Sequence, residues 1–187
     1  MPGPRSVEVG NTTAVFRDSL ARRVRREIEY EILLGPATGH ATVELELPIT
    51  YRGTVYPWQC DHMGHMNVMW YVGKFDEATW HVFGMLGLTP SFLRQHERGM
   101  AGVQQNISYK RELRAGDIIT IRSGVLEMRE KVIRFFHEMR NEETGEISAV
   151  AVLTAVHMDT KTRKSCPLPD DILARGRQMI VAYDPER

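Results

Sequence analysis

Cysteine is scarce in this chain. Of 187 residues only Cys60 and Cys166 are cysteines. They lie far apart and form no C-x-x-C or other metal-type spacing, so the simple reading is a reduced, cytoplasmic compartment without a disulfide framework. Long apolar runs are also missing. No stretch is long enough to span a bilayer, and none resembles the apolar core of a signal peptide. Charge of one sign is not in excess. Lysine and arginine number 24, aspartate and glutamate 24, and the formal net charge is zero. That balance argues against nucleic acid or an anionic membrane as a partner. An arginine cluster (Arg17, Arg22, Arg23, Arg25, Arg26) stands near the start, but Glu8 and Asp18 count against a transit peptide. It reads instead as a solvated helix face or a subunit contact. Internal repeats and low-complexity tracts are absent. What is present is 42% hydrophobic and 26% charged residues, which suits one packed domain with short extensions.

Along the chain, residues 1–12 are rich in proline, glycine and small polar groups and read as a loose tail. Phe16, Leu20, Val24 and Ile28 recur at spacing four, a helical stripe. Residues 41–61 read as extended, with Val43, Leu45 and Leu47 alternating against charged or polar neighbours, and Pro48 and Pro57 marking an edge or a bend. From Val68 the period becomes helical through Tyr71, Val72, Phe75, Ala78, Val82, Phe83 and Leu86, and Gly87 and Pro90 close the run. Four strand candidates follow: 100–113, 118–128, 132–141 and 147–160. One face of the last carries Ala149, Ala151, Leu153 and Ala155, mostly small residues that let a helix lie close. Short turns between these strands imply antiparallel pairing. The expected class is α+β, with a curved antiparallel sheet wrapped around one long central helix. The expected organisation is an N-terminal extension over 1–40, a core domain over 41–165, and a C-terminal tail over 166–187 with a short helix that begins near Pro169.

The stretch "CDHMGHMNVMWYVGKFDEA", residues 60–78, gathers polar groups at the mouth of that helix. Asp61 ends the extended segment, Gly64 permits a tight turn, and Asn67 stands where an N-cap belongs. A helix N-terminus presents unpaired N–H groups and a positive dipole end, which can hold a carbonyl oxygen as it becomes an oxyanion. A carboxylate just upstream can then act on the carbonyl carbon, directly or through a water. The alternative is that Asp61 merely caps the turn, and that His65 is structural. His62 and His65, beside Cys60 and Asp61, do not complete a zinc set, since His81, His137 and His157 lie on other elements. No metal and no cofactor is expected.

The run from Asp61 through Gly64, His65 and Asn67 to Tyr71 resembles the D-x-x-G-H-x-N-x-x-Y motif of hot-dog acyl thioesterases of the 4-hydroxybenzoyl-CoA thioesterase-like group. "FDEA" (75–78) and "NISYKRELRAGD" (106–117) are similar to the family's helix and to its strand with a basic turn. The likeness covers roughly residues 48–160, judged by element order as well as motif. It implies a hot-dog fold and hydrolysis of an acyl-CoA, or acyl carrier protein, thioester. In this reading Asp61 is nucleophile or general base, His65 and Asn67 are further catalytic positions, and Gly64 and Val68 lie at the oxyanion site. Met63 occupies the place where the plant acyl carrier protein branch has a catalytic asparagine, so that triad does not carry over. No H-G-G motif of the glutamate-dependent class occurs. The resemblance also implies a homodimer or homotetramer.

Gln104 and Asn106 are polar where a buried strand would be apolar, and alternation places them together, opposite Gln105. They are candidate substrate contacts. Lys110, Arg111 and Arg114 could pair with CoA phosphates, although loop cations are usually only solvated. Tyr71 fits the buried stripe and reads as core. Two other functions suit the same fold: a non-hydrolytic acyl-CoA-binding protein, which would need an output module, and a hydratase or dehydratase, which usually needs a different Asp/His pair.

Overall fold

The computed structural model of the chain describes residues 47–185. The described residues all belong to one compact unit, Leu45–Arg187. The helical stripe expected around residues 13–28 and the extension over 1–40 lie outside the described residues.

Five antiparallel strands form one sheet: β1 (Ile49–Thr54), β2 (Arg98–Tyr109), β3 (Ile118–Met128), β4 (Val132–Asn141) and β5 (Ile147–Asp159), in the order β1-β3-β4-β5-β2. The long helix α1 (Val68–Leu86) covers one face. Its bounds are those the periodicity predicts. The Asn67 side chain accepts a hydrogen bond from Met69 N, and Gly87, at φ 96°, ends it in the left-handed conformation that glycine adopts without strain. Tyr71, Phe75, Ala78, Val82 and Leu86 are all at most 4% exposed, and they meet Ala149, Ala151 and Ala155 on β5. The small side chains expected on β5 thus face the helix. This is the hot-dog arrangement, a curved sheet around one central helix.

Three details depart from the sequence pattern. Pro90 does more than follow α1: it is the first residue of a short helix, α2 (Pro90–Gln95), capped by Thr89, whose side chain accepts from Phe92 N. Residues 57–59, expected as extended, form a single 3-10 turn with Pro57 at its start. β2 stops at Tyr109 instead of running to Leu113, because the N–H groups of Lys110 and Arg111 both turn to Ser148 O. The C-terminal helix forms as expected, α3 (Asp170–Gln178), with Asp170 and Asp171 in its first turn. Arg175 ties it to α1 by donating to Leu86 O at 3.0 Å, a cation at a helix C-terminus.

A buried polar chain stitches the helix to the sheet. Ser123 Oγ lies 2.6 Å from both Thr50 Oγ1 and His137 Nδ1, and His137 Nε2 lies 2.9 Å from Thr79 Oγ1. The four residues come from β1, β3, β4 and α1. Burial pushes the His137 imidazole down to about 3, so it is neutral at pH 7.

Candidate active site

The turn that enters α1 is pinned at both ends. Cys60 and Met66 form an antiparallel bridge, Asp61 N donates to His65 O at 3.1 Å, and Gly64 N donates to Asp61 O at 3.0 Å. Gly64 has φ 84°, so the turn needs a residue without a Cβ penalty there. Met66 N donates to Leu113 O at 2.7 Å, which fastens the turn to the loop after β2.

Both oxygens of Asp61 are held. Oδ1 accepts from Met63 N at 2.9 Å, and Oδ2 accepts from Asn67 Nδ2 at 3.1 Å. These bonds, the backbone one first, together with the nearby His62 and His65, lower the carboxyl below its usual range, against a smaller opposing effect of desolvation. Asp61 is therefore a carboxylate throughout the neutral range. Asn67 works in two directions: Nδ2 holds Asp61, and Oδ1 caps α1 by accepting from Met69 N at 3.1 Å. Trp70 N turns back to Asn67 O. Among the described residues the Val68 N–H has no acceptor, and Val68 is 56% exposed. One asparagine side chain thus holds an ionised carboxylate and caps a helix whose first amide, Val68 N–H, is open.

The other expected site residues divide. His65 Nε2 lies 3.2 Å from Glu112 Oε1, so its ring faces the loop after β2 and reaches Asp61 only through space. Lys110, Arg111 and Arg114 sit on that same loop, which Leu113 and Glu112 bring against the turn at 61–67. Arg111 Nε lies 3.4 Å from Glu146, and Arg114 N donates to Asp117. Gln104 and Asn106 are not brought to Asp61 in this chain. Ile107 packs against the core beside α1, and Tyr109 meets Tyr71 edge-on at 5.2 Å, so alternation puts Gln105 on the helix side. Gln104 and Asn106, paired with Thr154 and Val152, project from the opposite face. Tyr71 is core, as its place in the stripe indicates. Among the described residues no group of three His, Cys, Asp or Glu side chains could hold a metal ion.

Sequence reasoning missed Lys74. It is 4% exposed, on the buried side of α1, and donates to Tyr51 Oη at 3.1 Å. The available signal was its spacing, three after Tyr71 and four before Ala78, which places a lysine on the apolar stripe. A larger, mostly apolar cleft of about 570 Å³ lies farther along α1, between Trp80, α2 and the start of β2, and does not touch Asp61.

Known proteins resemble this chain over the same region. The long-chain acyl-CoA thioesterase FadM of Escherichia coli (strain K12) is 27% identical over 140 residues, covering 73% of this chain and 99% of that protein. The L-carnitine dehydrogenase/betainyl-CoA thioesterase of Rhizobium meliloti (strain 1021) is 24% identical over 123 residues, or 66% of this chain. There the match spans only 25% of the relative's length. The crystal structure of YbaW, a probable thioesterase from Escherichia coli, superposes with a TM-score of 0.61 at 25% identity, covering 72% of this chain and all of that one. A family model described as the thioesterase-like superfamily matches residues 55–176, from the end of β1 to within α3, and so the chain belongs to the thioesterase-like superfamily.

Proposed function

We propose that this chain hydrolyses acyl-CoA thioesters to the free acid and CoA. The observation that carries the reading is the ionised Asp61, held by the same Asn67 side chain that caps the start of α1 at Met69 N, where the neighbouring Val68 N–H is open. A thioester carbonyl whose oxygen accepts from Val68 N–H would present its carbon toward Asp61. The carboxylate then attacks that carbon or takes a proton from an attacking water, and negative charge collects on the oxygen at the positive end of α1. Collapse expels the CoA thiolate, a good leaving group that needs no strong acid. The basic loop with Lys110, Arg111 and Arg114 adjoins the turn and suits the carrier's phosphates. FadM acts on long-chain acyl-CoA by name and supports the carrier. The Rhizobium relative's name specifies a betainyl group, so relatives alone leave the acyl group open.

The active form is a homodimer, with further pairing to a tetramer as the larger assembly. β2 is an edge strand whose residues 102–106 are exposed, and Val103 is 60% exposed. On α1, Met69, Val72 and Trp80 are exposed apolar residues. An exposed strand edge beside apolar side chains favours a second copy along β2, whose following loop is fastened to the turn that carries Asp61. Light scattering at micromolar concentration is expected to give at least a dimer, and a monomer alone would count against a shared site.

The mechanism is tested by Asp61→Asn. The amide nearly matches the carboxylate in shape, so the fold should persist while thiol release from the best acyl-CoA falls at least ~100-fold, as expected for loss of a positioned base or nucleophile. Turnover near the wild-type rate would reduce Asp61 to a turn residue.

A further inference from the structure

Lys74 is a buried cation that the mechanism above does not use. Among the described residues its ammonium makes one hydrogen bond, to Tyr51 Oη, and no carboxylate lies within ion-pair distance. The Tyr51 phenol satisfies one of the ammonium's three N–H donors. The ammonium lines a half-open cleft of about 360 Å³ between β1 and α1, walled by Tyr51, Tyr56, Gln59, Trp70 and Glu77. Two of its three N–H donors remain for a ligand. Tyr51 accepts from Lys74, so its own hydroxyl hydrogen is also free to donate.

The position of Tyr51 is itself prepared by the sequence. Its ring folds back over Gly53, two residues along the same face of β1, and a Cβ at Gly53 would come within 2.8 Å of ring carbons. A side chain at Gly53 would therefore push the phenol away from this position beside Lys74. The cleft adjoins the turn that carries Asp61: Gln59 O accepts from Asn67 N at 2.9 Å, and Trp70 lies in the first turn of α1. At 1.5 Å per residue, Lys74 stands about 9 Å along the helix from Val68.

We propose that this cleft binds a small oxyanion group, a carboxylate or a phosphate, held by the Lys74 ammonium and the Tyr51 hydroxyl. Its source is either a distal carboxylate on the acyl group or a phosphate of the CoA carrier. That choice of source rests on the thioesterase reading, whereas the binding site does not. Lys74 is then a specificity residue: an acyl group ending in a carboxylate completes the ammonium, and a neutral chain leaves it unpaired.

The test begins with binding, using the full chain. Millimolar glutarate or inorganic phosphate should raise the melting temperature of the wild type, because a ligand that binds only the folded state stabilises it. Lys74→Met suits the apolar stripe and should melt no lower than wild type, but it should lose the anion-induced rise. Gly53→Ala, which displaces the Tyr51 ring, should weaken anion binding while Lys74 is still present. Kinetics then identify the source. If it is the acyl carboxylate, Lys74→Met raises KM for glutaryl-CoA at least ~10-fold more than for pentanoyl-CoA, one factor of ten in affinity. If it is the carrier phosphate, KM rises alike for both and the effect vanishes with pantetheine thioesters. The proposal is overturned if neither anion shifts the wild-type melt, or if Lys74→Met keeps the shift. Anion binding without thioester turnover would refute the thioesterase reading and leave the site standing.

Discussion

The buried His137 makes stability depend on pH in a way that can be worked out. In the unfolded chain its imidazole titrates near 6.5; in the fold it is pushed down to about 3 by burial on the β4 strand. The folded value is depressed. Above pH 6.5 both states hold the neutral ring and the full stability is present. Below it the unfolded state gains a proton that the folded state refuses, and stability falls until pH approaches 3. Between pH 7 and pH 5 the loss from this one group is about 2 kcal/mol, since the unfolded state gains nearly a full proton over that interval. For a chain of this size that corresponds to a drop of roughly 4–8 °C in melting temperature. The control is His137→Gln. An amide can still bond one of Ser123 or Thr79, which flank the ring at 2.6 and 2.9 Å, but it cannot titrate. Urea unfolding of both proteins at pH 7, 6 and 5 isolates the contribution, because every other titrating group cancels in the difference. The wild-type advantage over the variant should shrink by about 2 kcal/mol from pH 7 to pH 5. Parallel curves for the two proteins would show that the ring is protonated, or already solvated, in the native state.

Two further outcomes are expected. Because Asp61 is held below the usual carboxylate range, its ionised form persists as pH falls and is lost only under more acidic conditions. The kcat/KM profile should therefore stay flat from pH 7 to 5 even while stability declines, and an acid limb with its midpoint inside that window would contradict the hydrogen bonds drawn to Asp61. Asn67→Ser keeps a cap for α1 but cannot reach Asp61 with an amide donor, so thermal stability should change by no more than about 1 kcal/mol while kcat drops. Equal kcat in Asn67→Ser and wild type, measured by thiol release, would show that Asn67 serves the helix alone.

Much of the architecture was legible because local signals and tertiary packing agree. The α1 stripe ends at Gly87, the one residue type that takes φ 96° without strain, and the alternation on β5 separates small from branched side chains on the face where a helix must approach. Where reading failed, the deciding contact was distant in sequence. Nothing local tells that Lys110 and Arg111 both turn to Ser148 O and end β2 early. The face of Gln104 depends on which way Ile107 points, and that is fixed by the packing of Ile107 near α1. Alternation correctly grouped Gln104 with Asn106, but a period of two cannot say which face is the inner one.

The same distinction separates the two parts of the candidate site. Asp61, Gly64, Asn67 and Val68 lie within eight consecutive residues, so their chemistry could be read from a turn followed by a helix start. The cleft at Lys74 could not, since it needs Tyr51 and Gly53 on β1 and the helix laid across that strand. A lysine inside an apolar stripe is the only trace such a site leaves in the sequence, and by itself it looks like a mismatch. Its energetic sense appears only when the partner strand supplies a phenol, a gap for that phenol, and a space the size of a small ligand group. Chemistry shared across one turn can be carried with the motif, whereas selectivity built across two elements can change with single residues on either. On that argument the position to vary in testing substrate preference is Lys74, and the position to leave untouched is Asn67, where the helix cap and the hold on Asp61 rest on one side chain.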